Sequence, residues 1–164
     1  GIKAIITRCT NNYGPRQFIE KLIPKTIILA NNDKKIPIYN NGKGMRDWIH
    51  VDDHCRAIST VMHDGVDGEK YNIAAQNECD VLAVVKKILS IMGKPSDAFV
   101  FAENRPGHDD RYSMHSTKIQ NTLGWKPMIN FDQGLSDTVH WYLENKNWWS
   151  GFDLKILDGY QWKS

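Results

Sequence analysis

The chain opens on Gly1-Ile2-Lys3-Ala4-Ile5-Ile6-Thr7, and the span Ile2 to Arg8 reads as a buried strand. A strand that is apolar on both faces belongs inside a sheet, between neighbours. Nothing ahead of it supplies such a neighbour, and the first residue is not methionine. The expectation is therefore the back part of a longer protein.

Behind that strand, helical and strand-like patterns alternate. Thr10 to Gln17 is polar, carries Asn11, Asn12, Gly14 and Pro15, and reads as a loop. Phe18 to Ala30 places Phe18, Leu22, Ile23, Ile27 and Ala30 at helical spacing. Ile36 to Tyr39 and Met45 to Val51 read as two strands of a hairpin, turned by Asn40-Asn41-Gly42-Lys43-Gly44. Asp52 or Asp53 is positioned to cap a helix running to His63, which Gly65 and Gly68 end. Lys70 to Ala74 is strand-like. Asp80 caps the clearest helix, with Val81, Val84, Val85, Ile88 and Met92 on one face and Gly93 just beyond its end. Phe99 to Ala102 is a short strand and Glu103 to Tyr112 a loop. Ser116 and Asp132 are the expected caps of two further helices, the first ending near Gly124 and the second carrying Leu135, Val139, Tyr142 and Leu143 inward. The class is α/β with mixed strands and helices. Residues 1–150 form the expected functional portion, and residues 151–164 a poorly ordered terminal extension.

Composition excludes several functions. Lys+Arg of 21 against Asp+Glu of 19 is too balanced for a nucleic-acid binder. There is no apolar run of about 18 residues to span a membrane, and a secretory leader is not expected. Cys9, Cys55 and Cys79 form no Cys-x-x-Cys pair, so neither zinc nor a disulfide framework is indicated, and a reducing cytoplasmic setting fits.

Some chemical motifs fail on inspection. Gly42-Lys43-Gly44 has Asp47 where a dinucleotide fingerprint needs its third glycine, and a strand rather than a helix follows. Tyr39 and Lys43 have the spacing of a Tyr-x-x-x-Lys dyad, but Asn-Asn-Gly between them breaks a helix. Tyr142 and Lys146 have that spacing on a helix beside Trp141, Trp148 and Trp149, where core packing explains them as well. His50 and His54 stand at a strand end and a helix start, so the rings share no helical face for a metal. The arginines are more suggestive. Arg46 lies on a strand, Arg105 in a loop stiffened by Pro106 and opened by Gly107, and guanidinium forks suit diphosphate oxygens. The plainer alternative for both is pairing with Asp47, Asp109 or Asp110. His108 either meets a ligand or ties down its loop, and Tyr39 either stacks on a base or packs on Trp48.

Taken in order, Arg8-Cys9-Thr10-Asn11-Asn12-Tyr13-Gly14-Pro15, Glu20-Lys21-Leu22-Ile23-Pro24, Pro37-Ile38-Tyr39, Arg46-Asp47-Trp48, Tyr71-Asn72-Ile73, Arg105-Pro106-Gly107-His108-Asp109, Leu123-Gly124-Trp125 and Trp141-Tyr142-Leu143 resemble the dTDP-glucose 4,6-dehydratases. These are extended short-chain dehydrogenases/reductases. The resemblance runs over residues 3 to 149 and falls in the C-terminal part of that family. It implies the substrate-binding portion of an extended short-chain dehydrogenase, with most of the NAD-binding Rossmann half missing. The implied conversion is dTDP-glucose to dTDP-4-keto-6-deoxyglucose, in deoxysugar and surface-polysaccharide synthesis. Hydride leaves C4, water leaves across C5 and C6, and hydride returns to C6.

By the same resemblance, Asn11 contacts the sugar nucleotide and Asn12 reaches the NAD side. Lys21 and Leu22 start the helix that meets the nucleotide. Pro37 and Tyr39 form the wall for thymine, Arg46 and Arg105 clamp the diphosphate, and His108 assists them. A homodimer is implied for the whole protein. The glycine-rich NAD loop, the helical Tyr-x-x-x-Lys and the acid/base residues match no part of this chain, so no catalytic residue is assigned and the chain alone is expected to be inactive. Departures are Asn104 for the usual Asp, Asn40 for a frequent Gly, and Val81 for an Asn that contacts nucleotide. UDP-sugar epimerases or decarboxylases of the same superfamily, or a non-catalytic nucleotide-sugar binding module, are the alternative readings.

Overall fold

A computed structural model describes residues 2–103, 107 and 109–157. The strands are β1 (Ile6–Cys9), β2 (Asn11–Tyr13), β3 (Ile36–Ile38), β4 (Met45–His50), β5 (Lys70–Ile73), β6 (Glu78–Asp80), β7 (Phe99–Phe101) and β8 (Arg111–Tyr112). The helices are α1 (Leu22–Asn31), α2 (Val51–Asp64), α3 (Val81–Ile91), α4 (Thr117–Leu123), α5 (Phe131–Glu144) and α6 (Lys146–Ser150). β1 runs parallel to β5, and β3 parallel to β7. β4 is the hub, parallel to β2 and β8 and antiparallel to β6.

Side chains alternate across β4, and this divides the interior. Trp48 joins a large core between α1, α3 and α5, around Ile23, Ile27, Val84, Ile88 and Leu135. Its neighbour Ile49 faces a second core with Ala57, Val61, Tyr71, Ile73 and Trp125.

The clearest helix is where the pattern places it. The Asp80 Oδ1 accepts from the Ala83 N–H at 2.7 Å, and Gly93 adopts φ +63° beyond the Met92 C-cap.

Several boundaries differ from the sequence expectation. The opening strand is shorter: pairing begins at Ile6, and Ile2 and Ile6 are 95% and 48% exposed. The polar loop contains β2, because ladder pairing to Trp48–His50 recruits the backbone of Asn11–Tyr13 whatever its side chains. α1 begins at Leu22, leaving Phe18 outside. Pro24 is tolerated only in a helix's first turn, since further in its ring would strike the carbonyl four residues back.

The expected hairpin does not form. Asn40, Asn41 and Gly42 take φ of 50°, 48° and 74°, a tight turn that sends β3 and β4 to different sheets. Gly42 is obligatory there, because a Cβ would lie 2.5 Å from the Leu82 Cβ.

Two caps are reassigned, and a third keeps its position without the capping bond. His50 Nδ1 accepts from the Asp52 N–H, and Asn130 Oδ1 accepts from the Asp132 and Gln133 N–H groups. Ser116 holds the cap position of α4, but its hydroxyl donates to the Ala74 carbonyl instead.

Asp53, fully buried, is a bracket rather than a cap. Its Oδ1 pairs with Arg56, and its Oδ2 accepts from the Met128 and Ile129 N–H groups at 3.0 and 2.9 Å. It fastens the segment ahead of α5 to α2. Asp53→Ala orphans the Met128 and Ile129 donors, while the part-exposed Arg56 keeps its bond to the Lys126 carbonyl, and the change should cost about 2–4 kcal/mol. Urea unfolding at unchanged m-value is the measurement, and a loss below about 1 kcal/mol would remove the bracket from this account.

Candidate binding cleft

The period of two along β4 begins the site. Arg46 and Trp48 share one face, and the β2 partner of Trp48 in register is Asn11, so all three reach the same cleft. The start of α1 adds Lys21 and Leu22, and the end of β3 adds Pro37 and Tyr39. Six of the residues selected from sequence therefore line one cleft, although up to 35 positions separate them. Glu20, Lys25, Ile38, Trp48 and Val81 complete its wall. Arg105 and His108, and with them the close approach of the two arginines, lie outside the described residues.

Lys25 is the residue that sequence reading missed. It follows Lys21 by four and Leu22 by three, which puts all three on one side of a helix. That spacing was available as a signal.

The cleft encloses about 180 Å3. A pocket that surrounds a small molecule is typically ~300–1,000 Å3, so these residues make a wall for one end of a ligand.

The Arg46 guanidinium is half-buried and tethered. Its Nη1 donates to the Met45 carbonyl at 2.7 Å and its Nη2 to the Asp109 carbonyl at 2.8 Å. The Met45 N–H donates to the Asp110 carbonyl at 2.8 Å, and the Asn40 amide to the Asp110 carboxylate. The turn after β3, the start of β4 and the 109–110 segment are thus held together. Arg46 contacts the Asp109 backbone, while Asp47 points to the opposite face, fully buried, and accepts from the Asn77 N–H at 2.8 Å.

Asn12 also faces away from the cleft. Its Nδ2 donates to the Cys9 Sγ and the Thr10 carbonyl, both at 3.2 Å, and its buried Oδ1 accepts from no group among the described residues.

The rejected motifs have ordinary structural roles. The Tyr142 hydroxyl donates to the Gln17 carbonyl at 2.6 Å, and burial raises its pKa well above 10. That is the wrong direction for a catalytic phenolate, and Tyr142 packs edge-on against Trp141 and Trp148. No metal-ligating cluster of His, Cys, Asp and Glu occurs among the described residues. No described helix is long and apolar enough to cross a membrane.

An ion pair fastens the strands on either side of Arg46. Arg111 on β8 donates through Nε and Nη2 to both Glu78 oxygens on β6, at 2.8 and 2.7 Å, and the Ser113 hydroxyl adds a third bond. The Arg111 and Ser113 hydrogen bonds hold the Glu78 carboxyl down, from 4.5 to about 2.

Comparison with known proteins agrees with this architecture. The chain belongs to the GDP-mannose 4,6 dehydratase family, whose model matches residues 1–138. Among its relatives is the dTDP-glucose 4,6-dehydratase of Neisseria meningitidis serogroup B, 45% identical over 170 residues, covering 97% of this chain and 47% of that protein. A solved dTDP-glucose 4,6-dehydratase from Streptomyces venezuelae, with NAD and TYD bound, superposes with a TM-score of 0.87 at 41% identity, over 88% of this chain and 45% of that one. The UDP-glucose 4-epimerase of Thermotoga maritima, with UDP-glucose, gives a TM-score of 0.83 at 26% identity, over 88% of this chain and 47% of that one. The chain spans about half the length of the curated relatives it matches.

The Glu78 pKa carries a sign that can be tested. A folded-state pKa below the unfolded one means that the contact contributes stability at neutral pH and loses it as pH falls from about 4.5 towards about 2. Glu78→Gln should lower Tm at pH 7 and leave it nearly unchanged at pH 2. Equal Tm values for parent and variant at pH 7, measured at low salt, would show that the ion pair contributes nothing.

Proposed function

We propose that this chain is the substrate-gripping part of an NAD-dependent nucleotide-sugar 4,6-dehydratase acting on dTDP-glucose. The observation that carries the reading is the cleft: Asn11, Lys21, Leu22, Pro37, Tyr39 and Arg46, selected from the sequence by resemblance, meet there. The 45% identity to a dTDP-glucose 4,6-dehydratase, against 26% to a solved UDP-glucose 4-epimerase, favours the dehydratase over its superfamily alternatives.

In this reading Pro37 and Tyr39 stack against thymine. Arg46, with Arg105 and His108 from the following loop, grips the diphosphate. Asn11 hydrogen-bonds towards the sugar. Two points of attachment, base and diphosphate, orient the hexose and convert much of the reaction's entropic cost into binding.

The reaction moves hydride from C4 to C6 of the hexose and expels water across C5 and C6; bound NAD supplies the hydride-carrying chemistry. Asn12 is the residue of this chain that fits the cofactor side. Its buried Oδ1 is an acceptor still to be satisfied, on the sheet face away from the substrate cleft, and a cofactor amide or hydroxyl would satisfy it. The proton and hydride chemistry belongs to residues outside this chain, and the whole protein is a cytoplasmic homodimer in this proposal.

Titration calorimetry of the isolated chain with dTDP should give measurable binding, and titration with NAD none. Arg46→Ala should weaken dTDP binding about 10- to 100-fold, the worth of a charge-assisted hydrogen bond. Arg46→Lys should recover part of the loss, because an ammonium lacks the planar fork. A change under about twofold for Arg46→Ala would leave Arg46 a strand-tethering residue only. The chain alone should form no 4-keto product from dTDP-glucose and NAD, and appearance of that product would overturn the assignment of catalysis elsewhere.

A further inference from the structure

Asn11 enters the cleft from β2, Lys21 and Leu22 enter it from the start of α1, and the chain between them runs outside the cleft for most of its length. β2 is three residues long and lies at the end of its sheet, beside β4. So short an end strand takes its exact position from whatever else holds it. Gln17 closes the connecting segment back on β2, because its Nε2 donates to the Asn12 carbonyl at 2.8 Å. That bond can set a position, since the Gln17 backbone is itself fixed. The fully buried Tyr142 donates its hydroxyl to the Gln17 carbonyl at 2.6 Å. The preceding Arg16 lies in the left-handed region at φ +64°, a conformation that persists where surrounding contacts impose it. Its guanidinium lies over the Trp141 ring, 5.2 Å from the ring centre. Tyr142 and Trp141 both stand on α5, which packs in the large core.

From this we infer that Gln17 is a positioning residue of the cleft: its amide, held from α5, sets the end of β2 through the Asn12 carbonyl and so fixes the direction in which Asn11 presents its side chain to the sugar. The inference rests on the proposed nucleotide-sugar reading, in which Asn11 meets the hexose, and adds to it a residue that does not line the cleft. Successive side chains on β2 face opposite sides, so a bond to the Asn12 carbonyl steers the strand without occupying the cleft. The Asn12 amide is committed to the Cys9 Sγ and the Thr10 carbonyl, which ties β2 to the chain before it. Gln17 ties it to the chain after it. A hydrogen bond is directional, so removing the donor frees the orientation of the strand more than its packing.

The test titrates dTDP-glucose and dTDP into the chain carrying Gln17→Leu, which keeps the bulk and removes the donor, and into Asn11→Ala and the double variant. Gln17→Leu should lose about fivefold in dTDP-glucose affinity, the worth of a neutral hydrogen bond, with dTDP affinity within about twofold of the parent. Asn11→Ala should lower the ratio of the two affinities by a similar factor, and the double variant should lower it no further than Asn11→Ala alone. A role in stability alone would lower Tm and leave the ratio at the parent value. If Gln17→Leu loses its cooperative melt, Gln17→Glu carries the same comparison: it keeps the shape and removes the donor, and its added charge acts on the diphosphate of both ligands. An unchanged ratio in a folded Gln17 variant, with Arg46→Ala still impaired for dTDP, overturns the role of Gln17 and leaves the nucleotide reading standing. Additive losses in the double variant overturn it too, because Gln17 would then not act through Asn11. Equal affinity of the parent for both ligands has the same consequence, since Asn11 would then meet no sugar. Failure of the parent chain to bind either ligand overturns the reading and the inference together.

Discussion

One six-residue strand sets the terms for the rest of the molecule. β4 pairs with β2, β6 and β8, separates the two cores by alternation, and carries Arg46 into the cleft. Burying Trp48 and Ile49 on opposite faces is worth roughly 1.5–3 kcal/mol for each side chain, and it fixes the register. A slip by one residue would send Trp48 into the wrong core and place Asp47, now buried against the Asn77 N–H, in the cleft where Arg46 belongs. Packing and ligand recognition are two consequences of the same period of two.

The cleft itself is assembled from chain ends. A strand start, a strand end, a helix start and one short strand converge on it, and each of these termini is anchored elsewhere. α1 and α3 pack side by side in the large core, β3 is held by β7, and the Arg111–Glu78 pair closes the strands beside Arg46. Such a site presents backbone and side chains at element termini while leaving its rigidity to interiors that never meet the ligand. Arg46 couples the two tasks, because its tethers to the Met45 and Asp109 carbonyls hold the start of β4 to the 109–110 segment.

Much of this was legible in the sequence where the signal is local. Asp80 as a cap, Gly93 as a stop and the apolar face of α3 depend on neighbours within a turn or two, and they stand as read. The cleft residues were legible for another reason: separated motifs in one order constrain a family, and the family carries its site along. What misled were positions with competing local solutions. Asn130 and Asp132 are both competent caps, as are His50 and Asp52, and burial and backbone geometry select between them. Lys25 was passed over because a charge within an apolar helix reads as solvated, and only its packing reveals that it is buried.

The sequence by itself determined the alternation of elements, the capping of α3 and the set of residues proposed to grip a nucleotide, since each depends on short-range geometry or on ordered motifs. Only the tertiary structure decided which strands pair. The turn Asn40-Asn41-Gly42 is compatible with a hairpin by composition, but three consecutive positive φ angles direct β3 to β7 and β4 to β2 and β6. Those partners lie more than thirty residues away in sequence, and their match rests on side chains that meet only once both cores have closed.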